Sequence, residues 1–213
     1  MGTKFGNLQV KCDDPGRVEW AIRKAERQGQ ALQDYQKRQA VYEFLKGRGI
    51  DEYPKPRSIY EYLSDPVNGW ITVLGDLGCG PTTEDSADNL SRQLSAPVLS
   101  VSVFDDDVLW MALYENGERL VRYAQFSSGG NKSEDYGRKP KTDYKLFAEK
   151  LGISEAALKE ALCPPVDEDG FYWLKDIVDA FSALLGPCCW MKADWLEDGR
   201  DADSGQSYHK IGG

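Results

Sequence analysis

The chain has 213 residues and a net charge of −9, with 41% hydrophobic and 11% aromatic residues. That apolar share suffices for a real core, in one large domain or in one domain with an appendage, and excludes disorder as the default. No apolar run approaches the roughly 18–20 residues of a membrane helix, and MGTKFGNLQV lacks the basic-then-apolar pattern of a signal peptide, so a cytoplasmic protein with no membrane role is expected.

The charge is unevenly placed. Residues 1–57 carry 12 Lys+Arg against 8 Asp+Glu, leaving 14 against 27 for the remainder. Phosphate neutralisation by Lys and Arg supplies most of the affinity for nucleic acid, so an acidic chain argues against that partner and is compatible with a basic one. The cysteines, Cys12, Cys79, Cys163, Cys188 and Cys189, form an odd set without CxxC spacing and read as reduced thiols, the adjacent pair Cys188 and Cys189 as buried free cysteines. Neither a metal nor another cofactor is expected, because His209 is the sole histidine and falls in a Gly/Ser-rich stretch.

In chain order, Phe5 to Lys11 alternates as a strand does, and Asp13-Asp14-Pro15 then opens a helix that the apolar spacing carries to about Leu45, with a break near Gly29. Gly and Pro at 47–57 mark a connection, and Ser58 to Leu63 is expected to form a helical turn. Trp70 to Leu74 is β-branched and aromatic; GDLGCGPTTED turns it into a helix over 85–94, with Thr82 or Thr83 as N-cap. The pattern of strand, Cys-containing acidic loop and helix thus occurs twice, a weak sign of duplication.

Pro97 to Phe104, Val108 to Tyr114 and Arg119 to Phe126 are strand-length runs joined at an Asp triplet and at Asn116-Gly117, a pair suited to the positive φ of a type I′ turn. Leu99, Val101 and Val103 alternate with Ser100 and Ser102, so one sheet face is expected to be buried and the other wetter. Residues 127–142 read as a mobile loop or linker. Tyr144 to Leu151, Gly152, then Ser154 to Leu162 reads as helix, Gly C-cap, Ser N-cap and helix, a packed hairpin despite its outward likeness to a helix-turn-helix. Phe171 to Leu185 is a further amphipathic helix.

The expected fold is therefore α+β: strand-helix-strand-helix, then a three-stranded antiparallel meander, with helices packed on one sheet face and a helical C-terminal part. The expected division is a sheet domain over 1–126, the linker 127–142, a helical part over 143–187 and an acidic, partly ordered tail over 188–213.

Three groups of residues invite a functional reading. The loop Gly75 to Pro81 joins strand to helix, where backbone N–H groups could hold an anion and where a helix N-terminus would lower the Cys79 thiol pKa. Asp76, Glu84 and Asp85 oppose an anion there, and no base stands near Cys79 in sequence. Asp105, Asp106 and Asp107 invite a divalent cation, against the plainer account of a turn in which Asp is favoured. Trp70, Trp110, Tyr114 and Tyr123 fall on the expected strands and would form a recognition surface if they faced away from the helices.

GWITV at 69–73, NLSRQLSAPVLSVSVFDDDVLWMALYENGERLVRY at 89–123 and the opening MGTKFGNLQV resemble an uncharacterised family of soluble bacterial proteins in which a strand, a helix ending in LS and a D-D-V meander recur. The resemblance spans about half of the chain and implies a bacterial cytoplasmic setting, with no activity or residue role attached. From the charge balance, the expected function is a non-catalytic protein-binding module for a basic partner, of the kind an immunity protein is for a basic toxin domain. The alternative is a small-ligand or metal-binding enzyme that uses the 75–85 loop with Asp105–Asp107. Homo-oligomerisation through the meander edge is a third arrangement compatible with the sequence.

Overall fold

The computed structural model describes residues 2–28, 40, 43–44, 46–48, 59–127, 140–163, 172–196, 199–200 and 205–211. The expected extension of the first helix past Gly29, the linker before residue 140 and parts of the tail fall largely outside the described residues.

Seven strands form one antiparallel sheet: β1 (Lys4–Lys11), β2 (Tyr62–Ser64), β3 (Trp70–Leu74), β4 (Val98–Phe104), β5 (Val108–Glu115), β6 (Glu118–Phe126) and β7 (Tyr208–Lys210). Their order is β6-β5-β4-β1-β3-β2-β7. Five helices accompany them among the described residues: α1 (Pro15–Gln28), α2 (Pro81–Leu94), α3 (Tyr144–Leu151), α4 (Glu155–Leu162) and α5 (Leu174–Leu185). The α+β class stands, and the meander is one side of a larger sheet.

Because β3 runs antiparallel to both β1 and β2, those two strands are parallel and flank it; β3 and β4 flank β1 in the same way. Two β-α-β units, β1-α1-β2 and β3-α2-β4, thus interleave in the order β4-β1-β3-β2, the double split arrangement of ferredoxin-like topology. The repeated strand-loop-helix pattern in the sequence corresponds to these two halves. Of the helical turn expected over Ser58 to Leu63, the described residues 59–63 are not helical: Tyr62–Ser64 is a strand between β3 and β7.

Both sheet faces are covered, where helices on one face were expected. Leu8, Val10, Ile71, Val73, Val98 and Ala112 pack against Val18, Ala21 and Ile22 of α1 and Ala87, Leu90 and Leu94 of α2. The opposite face, with Leu99, Val101, Val103, Met111 and Tyr123, receives Phe147 and Leu151 of α3, Leu158 of α4 and Ile177 and Phe181 of α5. Alternation along β4 therefore separates two interiors. Ser100 and Ser102, expected on a wetter face, are each 2% exposed and lie beneath α2, where Ser100 Oγ donates to Ala112 O and Ser102 Oγ accepts from Gly80 N.

Small residues under α2 let the helix start close to the sheet. A Cβ on Gly6 would stand 2.3 Å from Gly78 O and 2.3 Å from Thr83 Oγ1. The N-cap is Gly80, with Pro81 in the first turn, so the expected Thr cap is absent; Thr83 Oγ1 instead reaches Leu77 O and Gly78 O. Farther along α2 the carboxylate of Glu84, 5% exposed, accepts from Tyr114 Oη at 2.9 Å and lies 3.3 Å from Arg119 Nη1 and 2.9 Å from Arg122 Nη2, tying the helix to β5 and β6.

The C-terminal segment is docked by polar groups as well as by the Leu74, Met191 and Tyr208 cluster. Asn7 Nδ2 donates to Cys189 O at 2.8 Å and to Met191 O at 2.9 Å. Gln9 Nε2 donates to Asn7 Oδ1, Thr72 Oγ1 donates to Gln9 Oε1, and Thr72 N donates to Ser64 Oγ. All four side chains are fully buried, and their mutual bonds replace the water they lose. Of the pair expected to be buried, Cys189 is buried and Cys188 half-buried; Cys12 and Cys79 are half-buried and Cys163 is exposed.

Candidate functional site

A cleft opens at one end of the sheet because neighbouring strands stop at different heights. β1 continues to Lys4 beside β4, whereas β3 ends at Leu74, opposite Asn7, and its chain turns off toward α2. The notch beside Lys4, Phe5 and Gly6 is bounded by Gly75 to Cys79, by Glu61 ahead of β2 and by Lys192 to Asp194, and has a volume of about 310 Å³. Gly75 permits the close passage of the chain before β2, since a Cβ there would stand 1.9 Å from Ile59 O. Lys192 to Asp194 are held in place by the Asn7 bonds to the neighbouring carbonyls.

Asp76 and Cys79, both singled out by the sequence, line this cleft. Cys79 Sγ lies 3.5 Å from Phe5 O and 3.4 Å from Val103 O, as a thiol donor would. Burial raises its pKa, with the charge of Lys4 and the Phe5 contact only partly opposing that rise. The lowered pKa expected from the helix N-terminus is thus not what this site produces, and the protonated thiol is a poor nucleophile at neutral pH.

Asp105, Asp106 and Asp107 are not among the lining residues. Asp105 and Asp106 occupy the two positive-φ positions of a tight turn, both at φ 58°. Their carboxylates accept from the backbone N–H groups of Gly2 and Thr3, and Asp107 accepts from Ser127 Oγ. These bonds join the β4-β5 turn to the residues just ahead of β1 and to the residue just after β6. Among the described residues, no group of three or more His, Cys, Asp or Glu is placed to hold a metal ion.

The aromatic surface is overturned by burial: Trp70 is 2%, Tyr114 8% and Tyr123 1% exposed. Trp70 and Tyr123 belong to the core under α3–α5, and Tyr114 to the core under α1 and α2. Trp110 is half-buried, its ring against Gly80. Among the described residues, the large apolar side chains that are exposed are others, Trp20, Phe44, Trp173 and Trp195.

No protein-family model, curated protein or solved structure matches this chain.

The chemistry of the cleft is thus read from its own residues. Its floor and sides are partly apolar, from Phe5, Leu77 and Ala193, and its charged groups are Lys4, Lys192, Glu61, Asp76 and Asp194. Lys4 lies 3.9 Å from Asp105, outside the lining, and Lys192 lies 3.6 Å from Asp194. Along the lining three carboxylates, Glu61, Asp76 and Asp194, thus stand against two ammonium groups, and one of those, Lys4, also faces Asp105 outside the cleft. Glu61, Lys4, Lys192 and Asp194 carry no sequence signal for this role, since isolated charged residues are ordinarily solvated.

Proposed function

We propose that the protein is a non-catalytic binding module whose cleft receives a basic side chain from a protein partner. The observation that carries this reading is the surplus of carboxylate over ammonium in a partly apolar cleft, on a chain of net charge −9. A cationic side chain entering it would place its stem along Phe5 and Leu77 and its charge near Glu61 and Asp76, the division of contacts that long basic side chains favour. Acidic surroundings also speed the encounter with a basic partner and disfavour acidic ones. An immunity-type neutraliser of a basic domain is the specific form of this reading. The enzyme alternative draws less support, because Asp105–Asp107 are engaged in the turn and Cys79 is held as a thiol.

Titration of the ¹⁵N-labelled protein with a short Arg/Lys peptide tests the reading. Expected are amide shifts at Asp76 to Cys79 and Lys192 to Asp194, absent with a citrulline/acetyl-lysine peptide of the same length. Glu61→Gln or Asp76→Asn should each weaken binding by up to about five-fold, with less effect at high salt. Shifts scattered over the surface, or none, would remove the cleft as the binding site.

A further inference from the structure

A cation of the cleft lining, Lys192, lies against Trp195, a ring that is outside the lining and adjoins it through Phe5. Lys192 Nζ lies 5.3 Å from the ring centroid of Trp195 and 3.6 Å from Asp194, and its side chain is 31% exposed. The Trp195 ring is itself braced edge-on by Phe5, with centroids 5.8 Å apart, and Phe5 is packed in turn against Trp190. An aromatic face with a carboxylate beside it is a seat for a positively charged group, because the ring quadrupole and the carboxylate attract the same charge.

We infer that Lys192 is an internal occupant of the cleft, and that a partner's arginine competes with it for the face of Trp195 and for Asp194. This rests on the basic-partner reading and adds the regulation and selectivity of the same site. Arginine is the favoured competitor over lysine. A guanidinium is planar, stacks on an indole and bonds a carboxylate through two N–H groups, whereas Lys192 offers a compact ammonium that is more strongly hydrated. Lys192 can yield its place at small cost, since it sits at the rim between two residues of its own segment and its ammonium would return to water. In the resting protein it neutralises Asp194 and covers the ring, which lowers affinity for weakly basic or lysine-bearing partners.

The test compares the intact protein with Lys192→Met and Trp195→Leu, titrated calorimetrically with the Arg/Lys peptide and with all-Arg and all-Lys versions of it. Lys210→Met serves as the charge-matched control, because Lys210 is exposed on β7 and outside the cleft lining. Expected are about five-fold tighter binding for Lys192→Met and little change for Lys210→Met. Trp195→Leu should lose the preference for the all-Arg peptide. Lys192→Gln replaces Lys192→Met if the latter does not give a native-like ¹H–¹⁵N spectrum. Native protein that binds while Lys192→Met binds equally or more weakly overturns the internal-occupant inference and leaves the basic-partner reading standing. Failure of both native protein and Lys192→Met to bind any of the peptides overturns both. Equal gains from Lys192→Met and Lys210→Met would mean that overall charge alone acts, and would also overturn the inference.

Discussion

At the scale of single residues, the candidate site depends on Gly6, which was read only as part of a strand. Its missing Cβ lets the Gly78 carbonyl and Thr83 come against β1. Gly6→Ala should therefore push the 77–79 loop off the sheet, lowering stability by roughly 1–3 kcal/mol as overpacking does. A shift of the urea midpoint at unchanged slope would show it. Pairing with Thr83→Ala should recover only part of the loss, because the Gly78 carbonyl remains in the way. Asp76 and Cys79 were legible as site candidates because a glycine-rich strand-to-helix loop must expose polar groups. Their companions Glu61, Lys192 and Asp194 were not, since they meet them only through tertiary structure. Burial reversed the expected effect of the helix N-terminus on Cys79, and burial is not visible in sequence.

Among elements, turns were the most legible. Asn116 and Gly117 adopt φ 54° and 77°, the left-handed pair that their side chains allow, and Asn68 and Gly69 repeat it at φ 51° and 77°. Gly152, at φ 78°, ends α3, and Ser154 caps α4, as their spacing indicated. The strands β2 and β7, at three residues each, are too short to display alternation, and both were missed. Asn7 and Gln9 alternate with Leu8 and Val10 in a pattern that suggests a solvated face, yet they lie under the C-terminal segment. Asn7→Leu would leave the carbonyls of Cys189 and Met191 without their donor, at a cost of roughly 2–5 kcal/mol. Hydrogen exchange should locate the damage: amides of residues 188–196 and 207–211 should lose protection before those of β4 and β5. Uniform loss across the sheet would mean that Asn7 supports the whole fold and not that segment.

Over the whole molecule, the α+β class followed from the changing periodicity, but the coverage of each face did not, because a helix's own sequence does not say which side of a sheet it crosses. The core under α3–α5 combines residues from both sides of the expected boundary at 126, so the helices and the meander share one interior. Buried ionisable groups in both cores set the alkaline limit of this packing. Burial raises the pKa of Tyr60 from 10.0 to about 12, that of Tyr114 from 10.0 to about 12, and that of Cys189 from 9.0 to about 12. Each is raised above its unfolded value, so the stability it contributes is complete below about pH 9 and is lost as pH rises toward 12. The melting temperature should fall across that window, and less steeply in Tyr60→Phe; an unchanged slope would show that Tyr60 does not govern the transition. The central strand carries a last consequence, for the order of assembly. β1 is made before both strands that it pairs with, because its register joins Leu8 to Val73 and Lys4 to Phe104. A nascent chain released before Phe104 has emerged has no complete partner for its first strand. Such distant pairing places this protein among slower folders, with the Leu8 and Val10 face of β1 to be kept from other chains until β4 arrives.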